Sequence, residues 1–146
     1  MEVNDFLKHR VEDTPNILLV KDLYRAMADG DIPAMHRILS DTPEWHVCPG
    51  NPEGGSYRGM GEVFGTFYGK LLKQIHGHVL IAEQDVFIDG GDVVTVLGFY
   101  GFKVREDSPY RRVRFSHTWK ISPDHRIEGV WQVSDSYEKR RYFETD

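Results

Sequence analysis

Ile17, Leu18, Val20, Leu23, Tyr24 and Met27 recur at the spacing that puts side chains on one face of a helix. Thr14-Pro15 supplies a cap and a first helical residue, and Gly30 supplies a stop. Asp31 opens a second, short helix that turns Met35, Ile38 and Leu39 inward. Glu44 to Gly50 reads as a short strand stopped by Pro49-Gly50, and 51–58 as a loop. A third helix runs from Gly59 to about Gln74, with Val63, Phe64, Phe67, Tyr68, Leu71 and Leu72 as its apolar face. Gly61, Gly65 and Gly69 recur every four residues there, which predicts close packing of that helix on a sheet.

From His78 onward the period is that of strands. His78–Ile88, Val93–Arg105, Val113–Ile121 and Arg126–Tyr137 form a four-strand meander. Asp89-Gly90-Gly91-Asp92 and Glu106-Asp107-Ser108-Pro109 supply turns. Both faces of these strands carry apolar residues, so one face should meet helices and the other a second subunit. The expected architecture is α+β, with three N-terminal helices packed on a strongly bent mixed or antiparallel sheet, a cone-shaped barrel around a cavity.

Composition narrows the function. The 146 residues suggest one domain, with 1–13 an arm, 14–137 the folded unit and 138–146 a tail. Lys plus Arg is 18 against 23 Asp plus Glu, a formal charge of −5, which argues against nucleic acid as a partner. The basic runs Arg111-Arg112-x-Arg114 and Lys139-Arg140-Arg141 read as solvated faces. Cys48 is the only cysteine, so no intramolecular disulfide forms and no Cys₂His₂ zinc site is available. His76-Gly77-His78 offers two ligands without a third, so no metal is expected. No run approaches the roughly 20 apolar residues of a membrane span, and the start lacks a secretory pattern. A cytoplasmic protein without membrane contact is the expectation.

The candidate chemistry sits on the third strand of the meander. Phe115, His117, Trp119 and Ile121 share one face by alternation. An imidazole among aromatic rings is either a satisfied core histidine or the titratable group of a small-molecule pocket. Trp45, Tyr100, Phe102 and Trp119 are candidate cavity lining, with plain core as the alternative. Cys48 beside His46 or His117 could be a nucleophile or an inert small hydrophobe.

Gly30-Asp31-Ile32, Trp45-His46-Val47-Cys48-Pro49-Gly50 and Gly55-Ser56-Tyr57-Arg58-Gly59, in this order of elements, resemble the nuclear transport factor 2-like (NTF2-like) superfamily. Within it the chain is similar to the SnoaL-like group, related to ketosteroid isomerase and the polyketide cyclases. The resemblance covers about residues 14–137. It implies a cone enclosing a hydrophobic small molecule, no cofactor, and a homodimer through the outer sheet face.

Carried over residue by residue, the isomerase base falls on Cys48, or on Val47 without a gap, and neither is a carboxylate. The catalytic tyrosine falls on Leu23, one residue before Tyr24. The protonated aspartate falls on His117, and the third-helix Phe-Tyr pair on Phe67-Tyr68. The cyclases also place a pocket histidine at His117, while their Trp-Asp pair meets Trp131-Gln132. The resemblance thus implies an isomerase, cyclase or hydratase using His117 as acid/base, with Gln132 and Tyr68 orienting an oxygen. Tyr24, Trp45, His46, Cys48, Phe67, Tyr100, Phe102, Trp119 and Val130 would contact the ligand. A non-catalytic binder of apolar ligands and a homodimeric interaction module are the alternatives.

Overall fold

The computed structural model describes residues 12–74 and 81–146. Helix α1 (Pro15–Asp29) starts where the Thr14 side chain accepts from the Ile17 amide at 3.2 Å. It ends at Gly30, whose φ of 65° is the left-handed conformation that glycine adopts without strain. The Gly30 amide donates back to Met27, and the Asp31 amide to Ala26. Helix α2 (Ile32–Ile38) is capped by Asp31, which accepts from the Ala34 amide at 3.1 Å.

Strand β1 (Leu39–Val47) follows directly and is longer than the sequence suggests, running through Pro43. Strand β2 (Gly55–Arg58) pairs back on it antiparallel. The helical run 59–74, here α3, has three parts: a turn at Gly59–Gly61, a π-helical segment Glu62–Phe67 and a regular turn pair Tyr68–Gln74. Strands β3 (Ile81–Asp89), β4 (Val93–Phe102), β5 (Arg111–Ile121) and β6 (Ile127–Ser134) form the meander.

The sheet has the order β2-β1-β6-β5-β4-β3 and does not close. All its pairings are antiparallel except β1 with β6, which makes the sheet mixed. Register shifts between Gln84 and Val86, and between Leu39 and Glu44, bend it. At Gly98 a Cβ would collide with the Glu83 carbonyl and press on the Phe115 ring, so the bend beside the first shift requires glycine.

The core lies between the inner sheet face and the helices. Ile17, Val20, Leu23, Trp45, Val63, Val94, Val96, Trp119 and Ile127 are fully buried there. Each large side chain so enclosed is worth about 1.5–3 kcal/mol relative to exposure.

Three sequence expectations change. A Cβ at Gly61, Gly65 or Gly69 would meet nothing within 4 Å, so these glycines do not mediate close packing. The widened π turn between them sets the phase of Phe67 and Tyr68 instead. The end of the chain is a helix, α4 (Ser136–Thr145), capped by Asp135 through the Glu138 amide. Its Phe143 stacks on Phe102 at 5.4 Å, and Arg111 holds Asp146 with two hydrogen bonds of 2.7 and 2.9 Å. The run Lys139-Arg140-Arg141 is not a uniformly solvated face, because Lys139 is buried. The N-terminal arm up to residue 11 and the His76, His78 pair lie outside the described residues.

Candidate functional site

Alternation on β5 turns Val113, Phe115, His117, Trp119 and Ile121 to the inner face. The imidazole of His117 is only 3% exposed. It stacks on Phe115 at 3.9 Å between ring centres. Both of its nitrogens meet tyrosines: Nδ1 lies 2.6 Å from the Tyr24 hydroxyl and Nε2 lies 2.5 Å from that of Tyr100. Trp119 Nε1 donates to the same Tyr24 hydroxyl at 3.0 Å. Burial pushes the His117 pKa down to about 3, so the ring is neutral near pH 7. Burial also pushes the Tyr24 and Tyr100 phenols well up, which keeps both protonated.

A neutral imidazole has one N–H and one bare nitrogen. One tyrosine therefore donates to the bare nitrogen, and the other accepts from the N–H. The accepting tyrosine keeps a phenol proton that His117 does not use. Either tautomer leaves one such O–H, on Tyr100 or on Tyr24.

These groups line a cavity of about 330 Å³ between α1, α3 and the inner sheet face. Met27, Phe67, Leu71, Ala82 and Trp119 supply its apolar wall. Tyr24, Tyr68, Tyr100, His117 and Gln132 supply neutral polar groups. Tyr68 is half-buried, donates to Met27 Sδ at 3.3 Å and has its phenol pushed up to about 12 by burial. Two ionic groups also line the wall. Glu53, from the loop between β1 and β2, and Lys139, from α4, meet at 2.6 Å, with side chains 5% and 3% exposed. The Glu53 charge contributes to the rise in the Tyr100 pKa, so the pair and the tyrosine share one electrostatic environment.

The structure therefore brings His117, Gln132, Tyr68, Tyr24, Phe67, Tyr100 and Trp119 to one cavity. Trp45 and Val130 are buried behind it, with Trp45 packed edge-on to Trp119 at 5.5 Å. His46 points to the outer face, where it bonds Ser56 at 2.9 Å and packs on Trp131. Cys48 follows β1 and accepts from Asn51 Nδ2 at 2.9 Å, and it is not among the residues that line the cavity. Phe102 sits in a second cluster with Val104 and Val113, against which Tyr100 and Phe143 pack, and it does not line the cavity that Tyr100 reaches. Asp135 is a helix cap. Among the described residues no group of three or more His, Cys, Asp or Glu is placed to hold a metal ion.

Sequence reasoning missed Glu53 and Lys139. Glu53 lies in a Gly/Pro-rich stretch that reads as solvated loop, and Lys139 in a basic run. A weak signal existed: Lys139 lies four residues after Asp135, which would face the same side of a helix.

No protein-family model matches the sequence, and no curated protein matches it. Solved structures do match its fold. An NTF2-like protein from Burkholderia thailandensis is 26% identical, covering 88% of this chain and 96% of its own, with a TM-score of 0.72. TerC, crystallised with polyporic acid, is 21% identical over 90% of this chain and 100% of its own, with a TM-score of 0.76. A protein described as a SnoaL-like polyketide cyclase, from Shewanella denitrificans, is 11% identical over 90% of this chain and 98% of its own, with a TM-score of 0.71.

Proposed function

We propose that this chain, which has the NTF2-like fold shared with SnoaL-like proteins, binds a hydrophobic carbonyl-bearing small molecule in its cone and isomerises, cyclises or hydrates it. The observation that carries this reading is the Tyr24–His117–Tyr100 chain on the cavity wall. Its spare phenol O–H is a neutral donor aimed at a carbonyl oxygen or at the enolate formed from it. His117 links the two phenols, so the ring fixes both hydroxyls in place while it stays neutral. Gln132 and Tyr68 orient the bound oxygen. No metal or organic cofactor takes part.

A second reading is a non-catalytic binder. It is favoured by the cavity carboxylate, Glu53, whose Oε1 accepts from Lys139 Nζ at 2.6 Å. A cytoplasmic homodimer is the setting for either reading. The outer sheet face supports the dimer, since Trp131 is 62% exposed beside the exposed Val133.

The test is a thermal-shift screen of polycyclic ketones, lactones, fatty acids and polyporic acid against wild type and His117→Phe. A ligand at a hundred times its dissociation constant adds about 2.7 kcal/mol of stability. A ketone that stabilises the wild type alone, and is turned over, supports the enzyme. Equal stabilisation of both proteins without turnover supports the binder. Stabilisation by fatty acids alone contradicts the carbonyl specificity.

A further inference from the structure

The buried ammonium of Lys139 is incompletely used. It has three N–H donors. One meets Glu53 Oε1 at 2.6 Å, and the other two find no acceptor among the described residues. The group is 2% exposed and forms part of the cavity wall. An ammonium taken from water with two donors unmet is costly unless something in the cavity accepts from them.

We infer that Lys139 anchors an anionic oxygen of the ligand, and that the ligand is a carbonyl compound carrying an ionised enol. This rests on the pocket reading above and names its substrate class. The two unused N–H directions point away from Glu53, because the three donors of an ammonium diverge tetrahedrally. An oxygen on either is in contact with the positive charge and further from the carboxylate, so attraction outweighs repulsion. Glu53 holds the ammonium in place from one side. An ionised enol conjugated to a carbonyl spreads its charge over two oxygens, which lowers the cost of leaving water. The carbonyl end then meets the spare phenol O–H of the tyrosine–histidine chain. A neutral donor and a cationic donor in one apolar cavity thus match a ligand with one neutral and one acidic oxygen.

The experiment compares 2-hydroxy-1,4-naphthoquinone, an ionised enol at pH 7, with its methyl ether, which is neutral and nearly the same shape. Binding is measured by calorimetry to wild type, Lys139→Arg, Tyr100→Phe and the double variant Lys139→Met/Glu53→Gln. The double variant removes both charges together, which avoids breaking a buried ion pair from one side. Wild type is expected to prefer the acid by about tenfold or more, and the double variant to lose that preference while still binding the ether. Lys139→Arg is expected to retain the preference, and Tyr100→Phe to weaken both probes alike. Equal binding of the two probes by wild type, or a preference that survives in the double variant, overturns the anchor and leaves the pocket reading standing. If neither probe binds the wild type, both readings fall for this class of ligand.

Discussion

The Tyr24 hydroxyl and His117 Nδ1 lie 2.6 Å apart across 93 positions of sequence. That contact ties the first helix to the middle of the sheet. It also decides which of two adjacent residues, Leu23 or Tyr24, delivers a polar group to the cavity. Leu23 is fully buried in the apolar core, and Tyr24 reaches the imidazole.

Among the described residues Tyr24 serves two buried partners, His117 and Trp119, whereas Tyr100 serves His117 alone. Tyr24→Phe should therefore cost about 2–6 kcal/mol, since each of the two orphaned groups costs about 1–3. Tyr100→Phe should cost about half as much. Urea titration of the two variants checks the order, and a larger loss in Tyr100→Phe would count against the bonding described.

Stability should depend on pH through His117. Its folded pKa, about 3, lies below the ordinary 6.5. Between these values the unfolded chain binds the extra proton, so stability rises with pH, by up to about 1.4 kcal/mol per unit, and levels off above about 6.5. Unfolding curves from pH 4 to 8 should show this slope in wild type, reduced in His117→Phe. Parallel curves would place the histidine in water.

Lys139→Met alone breaks the buried ion pair with Glu53 by removing one partner and should cost about 3–5 kcal/mol. Adding Glu53→Gln should recover much of that loss. A double-mutant cycle by chemical denaturation gives the coupling, and simple additivity would contradict a buried pair.

Trp131→Glu places a charge in the middle of the exposed outer face. Light scattering should give wild type twice the 16.9 kDa chain mass, and the variant a single chain. A monomeric wild type would remove the dimer from the account.

Much of the fold was legible from local signals. Thr14-Pro15, Gly30 and Asp31 are caps whose chemistry acts within a few residues, and they mark helix ends where the structure has them. The alternation on β5 placed His117 correctly on the inner face because a one-residue slip would bury Arg114 and Lys120. What local pattern could not show was who meets whom. Tyr100 and Phe102 share a face and pack in one cluster with Phe143 of α4, yet Tyr100 lines the cavity and Phe102 does not. The helix that carries Lys139 was hidden because its charged surface has no clear apolar period, and its burial depends on Glu53, 86 positions away.

The most direct test is the ¹⁵N spectrum of the His117 imidazole, with and without a ketone from the screen. A neutral ring is expected from pH 5 to 8, one nitrogen protonated and one bare, with shifts that move when the ligand accepts the spare phenol proton. A ring that takes up a second proton near pH 6.5, or one that does not respond to a bound ketone, would contradict this expectation.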